Sequence, residues 1–473
     1  MIRYSQICPA CLRVAVHFLL VLAIAVGLNA CARAARVQKP WIVTGRTAAP
    51  QRKGKHKSAP AFMPPAVRTS TLEITPGIHV AGIVPLPLDF APDMGRPPLW
   101  LVGGSEIGVV GTRADKGMML GFSGTGLSQR RVLIEDYRAG ANGGRLLDLA
   151  VNPGGNLLAT AVDMPAEDRV DINVADASRP DQTSQLGSLE GEFDSVELSW
   201  LRTEIAILTQ ASSSPSHSAA ESTALASIGL YLITTGQKGG IKSVDRIKCP
   251  LSMLAFSPNE TFAVGQGNAS AHPSIIDLRS GKCIRGPSPD PIQVLGWAPD
   301  SASFLYRTAD QGGVFRFDLT SGQSSTIAVS SGAAAYASDG TIIAFGSQQL
   351  SWQRAIAEPQ RPVKAQIALL DPHQSLRTIN SLGFTTQPAL LAQSTMVFSH
   401  ASNDAVIDTA IPGTTGLIRE IIEYSYPSRT AFLLAHGAVK GPIQISWSPN
   451  GRELAILDGD ASSRTLAVID PPR

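Results

Sequence analysis

No aspartate or glutamate occurs before Glu73, although that stretch carries 11 of the chain's 40 Lys and Arg residues. The formal charge of +2 is therefore misleading. The remainder holds 29 basic against 38 acidic residues, so a basic arm precedes a mildly acidic body. Charge is scarce everywhere (16% of 473 residues), which argues against long solvent-facing helices. Reaction signatures are also missing. No G-x-S-x-G elbow or Walker A loop occurs, and Gly124-Thr125-Gly126 and Gly265-Gln266-Gly267 lack the third glycine of a dinucleotide fingerprint. The eight histidines form no H-x-x-x-H pair and no Cys/His cluster. Asp458-Gly459-Asp460 reads as a hairpin turn in preference to a calcium ligand set. Catalytic, cofactor-binding and metal-ligating residues are accordingly assigned to none. What the chain does have is turn chemistry, with 43 glycines and 33 prolines, the composition of many short strands.

Five cysteines are present. Cys8 and Cys11 form a C-x-x-C, but both lie in a leader without the βαβ context of a redox motif. Arg3 and Arg13 precede the apolar run Val14–Leu28, the length of a signal-peptide core and too short for a confident membrane span. The run ends in Leu28-Asn29-Ala30-Cys31, which resembles the bacterial lipobox. That resemblance implies cleavage after residue 30 and acylation of Cys31, and Ala32 after the cysteine implies the outer membrane. Multiple acyl chains would make the anchoring stable. Asn29 and the basic Arg33, Arg36 and Lys39 depart from the usual lipobox surroundings. An inner-membrane anchor or a soluble periplasmic protein are the alternatives. Residues 31–70 read as a basic, Pro-rich disordered tether, either a spacer or a contact for anionic lipid. Nucleic-acid binding is not expected, because no aromatics interleave the basic residues. In the body, Cys249 and Cys283 could pair as a disulfide in an exported protein, with two buried thiols as the other reading.

Residues 71–473 read as one domain, and from about residue 145 onward they carry a weak repeat. A hydrophobic strand, a Ser-Pro-Asp/Asn corner and a second hydrophobic strand recur, most clearly at Ile443–Leu457, Ser252–Val264 and Gln293–Tyr306. Corners fall at Pro153, Leu201, Pro258, Pro299, Ser338, Gln393 and Pro449, at intervals of 48, 57, 41, 39, 55 and 56 residues. One four-stranded antiparallel unit needs about 40 residues. Segments 211–227, 350–364 and 408–420 read as insertions that lengthen the wider intervals. A third strand ends in aspartate at Asp176, Asp277, Asp318, Asp371 and Asp470, spread evenly and so read as turn caps, not as a catalytic set. Residues 99–137 supply one more unit without the corner. The last copy reaches Arg473 with only three strands, and a strand from about 72–84 would complete it.

This pattern resembles the WD40-like repeats of TolB-type propellers. The resemblance implies that residues 71–473 are an all-β propeller domain of four-stranded blades, seven or eight with eight favoured, closed by an N-terminal strand, with Trp200, Trp297 and Trp447 between blades. Related envelope propellers, including TolB and the eight-bladed lipoprotein of the β-barrel assembly machinery, act through protein partners. Residues 71–140 lack the helical periodicity of TolB's extra domain, so neither specific role transfers. Two function classes remain. The first is an interaction scaffold on the periplasmic face of the outer membrane, binding an envelope protein or peptide. The second is an enzyme or small-ligand or sugar binder using the central channel. The first predicts an exposed patch on a rim; the second predicts titratable groups converging at a channel mouth.

Overall fold

The computed structural model describes residues 67–472 except 70, 115, 136–143, 212–227, 236–241, 244–252, 267–273, 288–290, 309–312, 348, 350–351, 372–376 and 460–463. The leader, Cys31 and nearly all of the tether lie outside the described residues. Within them the chain forms eight four-stranded antiparallel blades arranged in a ring. The inner strands, each first in its blade, are Phe90–Pro92 with Leu99–Leu101, Arg145–Val151, Phe193–Trp200, Met253–Phe256, Pro291–Trp297, the end of Gln323–Tyr336, Thr395–Ser399 and Ile443–Trp447. Gln323–Tyr336 serves two blades, as the outer strand of blade 5 and then the inner strand of blade 6.

The packing explains why the repeats are needed. Among the described residues the hydrophobic core forms eight clusters, one at each blade–blade junction. Leu101, Met119 and Leu133 of blade 1 meet Leu149 and Leu158 of blade 2, for instance. Leu457, Leu466 and Val468 of blade 8 meet Phe90, Ile107 and Phe122 of blade 1. A strand alternates its side chains between two faces, so each blade has two apolar faces and covers both only by sitting between neighbours. The ring leaves neither face bare.

Corners behave as their residues dictate. In blade 8, Ser448 Oγ donates to Asn450 Oδ1 at 2.8 Å, and the Glu453 N–H donates back to Ser448 Oγ at 2.9 Å. Blade 4 repeats this with Ser257, Asn259 and Phe262. The residue after the Asp/Asn is left-handed: Gly451 (φ 67°), Gly340 (85°), Ser301 (61°) and Glu260 (57°). The aspartates ending third strands at 176, 277 and 318 accept hydrogen bonds from the following turn, which hold their carboxyls below the usual range: Asp176 from the Ser178 hydroxyl and then its N–H, Asp277 first from the Arg279 N–H and Asp318 first from the Ser321 N–H.

Three expectations change in detail. The sixth corner, that of blade 7, is not at Gln393, which follows a short helix, Pro388–Leu391; it lies at His400–Asn403, where Asn403 (φ 63°) supplies the left-handed position. Segment 408–420 is no insertion but part of the hairpin joining Asp404–Pro412 to Leu417–Ser425. The segment near 72–84 divides. His79–Pro85 pairs with Thr465–Asp470 and completes blade 8, while Leu72–Ile74 pairs with Thr430–Ala438 and extends blade 7, followed outward by Val67–Arg68. A turn at Pro76-Gly77 separates them, with Gly77 at φ 94°.

Candidate functional site

Corner turns and the turns after third strands share one face of the ring. There, adjacent blades touch through their corners. The Val102 N–H donates to Gly155 O at 2.7 Å, the Asn259 N–H to Ser301 Oγ at 3.0 Å, and the Ser338 N–H to Asn403 Oδ1 at 3.3 Å. A cleft of about 460 Å³ opens on this face between blades 1 and 2, lined by Val102, Ser105, Glu106, Ser123, Gln129, Arg130, Arg131 and Ser178. Val102 is left-handed (φ 50°), an unusual conformation for a β-branched residue.

The cleft's electrostatics follow from one missing side chain. Glu106 begins the second strand of blade 1 and is almost fully buried. Its carboxylate crosses Gly121 on the third strand to reach Arg131 on the outer strand. A Cβ on Gly121 would lie 2.3 Å from Glu106 Oε1. Arg131 donates through Nε (2.8 Å) and Nη2 (2.6 Å), a bidentate pair that raises the pKa of its guanidinium. Nη1 is left over. Arg130, Gln129 and Ser123 make no side-chain hydrogen bond or ion pair among the described residues, so the wall is rich in unspent donors.

A second polar group lies on the axis side of the ring. The inner strand of blade 1 is interrupted between Pro92 and Leu99, and the intervening loop reaches both neighbouring blades. Arg96 Nε pairs with Asp93 at 3.1 Å, Nη1 donates to Leu149 O at 3.2 Å, and Nη2 forms an ion pair with buried Asp148 of blade 2. On the other side, Gln444 of blade 8 donates to Met94 O. Burial pushes the Asp148 carboxyl up, against the pull of Arg96 and of the Leu198 N–H. Half-buried Glu197 of blade 3 is also pushed up, by burial and then by the nearby Asp148 charge. Among the described residues, no three His, Cys, Asp or Glu side chains stand close enough to hold a metal ion.

Of the residues singled out from the sequence, Cys31 and Cys249 lie outside the described residues. Cys283, in the outer strand Cys283–Arg285 of blade 4, is disulfide-bonded. The tryptophans lie between blades: Trp200, Trp297 and Trp447 donate from Nε1 to Ala150, Ala255 and Val397 carbonyls of the preceding inner strands. The Asp458 carboxylate accepts from the Thr69 and Thr71 hydroxyls, and Asp460 lies outside the described residues. Sequence reading missed Glu106, Arg131, Arg96, Asp148 and Glu197. Each becomes noticeable only when strands or blades distant in sequence meet.

No family model matches the chain, and no curated protein matches it. Solved structures do. The chain is similar to a prolyl endopeptidase at 16% identity, over 77% of this chain and 54% of that one, with a TM-score of 0.44. It thus spans about half the length of that enzyme. It is similar to the Dos1 propeller at 10% identity (83% and 95% covered, TM-score 0.49) and to TolB from Acinetobacter baumannii at 14% (77% and 79%, TM-score 0.29). Likeness at this level concerns fold alone, and the propeller assignment rests on this chain's own topology.

Proposed function

We propose that this chain is a membrane-tethered interaction scaffold of the bacterial envelope, held by a lipid at Cys31 on the periplasmic side of the outer membrane, with a protein or peptide partner. The observation that carries this reading is where the chain enters the ring. Val67–Arg68 and Leu72–Ile74 extend the outer edge of blade 7, and His79–Pro85 is the outer strand of blade 8. A tether joined at the outer edge enters the ring away from the face that carries the corner turns, which suits presentation of that face to a partner. Basic residues in 31–70 add attraction to anionic headgroups. Crosslinking in the native envelope, with mass spectrometry of what is captured, tests the scaffold role; recovery of no specific protein across repeated captures counts against it. A Cys31→Ser variant is expected to leave the membrane fraction, and one that stays there removes the lipid anchor from the account.

The channel-ligand reading retains one specific observation, the Arg96–Asp148–Glu197 group on the axis side. A Glu197→Gln variant separates the two readings. In a scaffold it leaves partner capture unchanged, whereas in a channel enzyme or ligand binder it abolishes the activity or the binding.

A further inference from the structure

The corner-face cleft and the strand beside it fit one kind of partner. Gln129–Glu135 is the outer strand of blade 1, and no strand pairs with its outer side among the described residues. Its first four residues are exposed, and Val132 is 48% exposed. Such an edge presents unpaired backbone N–H and C=O groups, a ready template for one more strand. At the start of this edge the cleft gathers donors without partners: the Arg130 guanidinium, Arg131 Nη1, the Gln129 amide and the Ser123 hydroxyl. The one carboxylate in the cleft wall, Glu106, is committed to Arg131. What is missing is acceptors carrying negative charge. We propose that an extended acidic peptide adds along Gln129–Glu135 and sets its carboxylates against Arg130 and Arg131. The free backbone edge favours a peptide over an acidic glycan, which has no main chain to pair. This rests on the scaffold reading and specifies the chemistry of its partner.

Arg131 is preorganised for this. Its bidentate bond to a buried carboxylate fixes the guanidinium plane, so little side-chain entropy is lost on binding. Arg130 is free and supplies the uncompensated charge. The test uses the purified protein and calorimetry at low salt, with hexaglutamate, hexaglutamine and trigalacturonate as probes. The expected result is saturable binding of hexaglutamate, weakened about tenfold or more by Arg130→Ala, as loss of a charge-assisted contact implies. Arg145→Ala removes another exposed arginine, from the start of the blade 2 inner strand and outside the cleft lining, and is expected to leave affinity unchanged. Hexaglutamine is expected not to bind. The proposal is overturned if hexaglutamate does not bind, if Arg130→Ala binds it as wild type does, if both arginine variants weaken it equally, or if trigalacturonate alone binds. None of these measurements involves Cys31 or a membrane, so failure here leaves the tether and capture experiments standing on their own.

Discussion

Trp200 fills space between blades 2 and 3 while its indole N–H satisfies the carbonyl of Ala150, 2.9 Å away on the preceding inner strand. Trp100 makes the same link across the ring's closing junction, to Ser446 of blade 8 at 3.3 Å (backbone O) and 3.1 Å (Oγ). Trp200→Phe keeps an aromatic ring at the junction and removes the N–H donor together with part of the indole. It is expected to cost about 1–2 kcal/mol in denaturant unfolding, because a part-buried carbonyl loses its partner. Glu420 is the opposite case, a buried carboxyl on blade 7 beside Thr409 and opposite His436 across the sheet. Its Oε2 has no hydrogen-bond partner, and burial raises its pKa to about 7. The raised folded pKa favours the neutral form, so its contribution is fully present below the unfolded value of 4.5 and is lost as pH rises through 7. The gap corresponds to about 3 kcal/mol at most. Glu420→Gln is therefore expected to raise the melting temperature at pH 8.5 and to leave it nearly unchanged at pH 4.5. An equal shift at both pH values would show that the carboxyl's charge is not the cause.

Elements were legible wherever a local rule fixed them. Pro449-Asn450-Gly451 announces a corner because proline fixes φ and glycine accepts the left-handed position. At 400–403 the same backbone is built by His-Ala-Ser-Asn, where neither proline nor glycine marks the turn and Asn403 takes the left-handed position at φ 63°. The charged groups were illegible for another reason. Glu106 meets Arg131 only because Gly121 stands between them on the intervening strand, and Arg96 meets Asp148 only because two blades adjoin. No spacing along the chain encodes either contact. The shared strand Gln323–Tyr336 was hidden likewise, since sequence alone did not show one strand passing from blade 5 to blade 6 at Gly332. A Cβ there would lie 1.7 Å from Phe345 O, and the Gly332 carbonyl also accepts from buried Arg307 at 2.6 Å. Gly332→Ala is expected to destabilise by about 2–3 kcal/mol, as overpacking in a tight core does. Gly322→Ala, nearby but with open space around its Cβ, separates steric contact from simple loss of a glycine. Gly322 is itself left-handed (φ 65°), so only the excess cost at Gly332 is attributed to the clash.

At the scale of the whole molecule, stability depends on closing the circle, and the N-terminal arm closes it in two separable steps. Leu72–Ile74 covers the edge of blade 7, while Thr69 and Thr71 hydroxyls donate to buried Asp458 of blade 8 at 2.8 and 2.6 Å. His79–Pro85 then supplies the fourth strand of blade 8. Its Val80 and Ile83 pack into the junction with blade 7, and its Ala81 and Val84 into the junction with blade 1. A chain starting at Thr75 loses the first step only. It is expected to elute on size exclusion as the full chain does and to melt earlier, because Asp458 loses part of its hydrogen-bonding shell. A chain starting at Leu88 loses both. The edge of Thr465–Asp470 is then bare, with Leu466 and Ile469 beside an emptied groove, and such an edge pairs with other chains. It is expected to elute as oligomers on size exclusion and to unfold without a single cooperative transition. A chain lacking residues 1–87 that keeps the wild-type elution and unfolds cooperatively would mean that the junction between blades 7, 8 and 1 holds without the arm, and that His79–Pro85 is an accessory to the ring instead of its clasp.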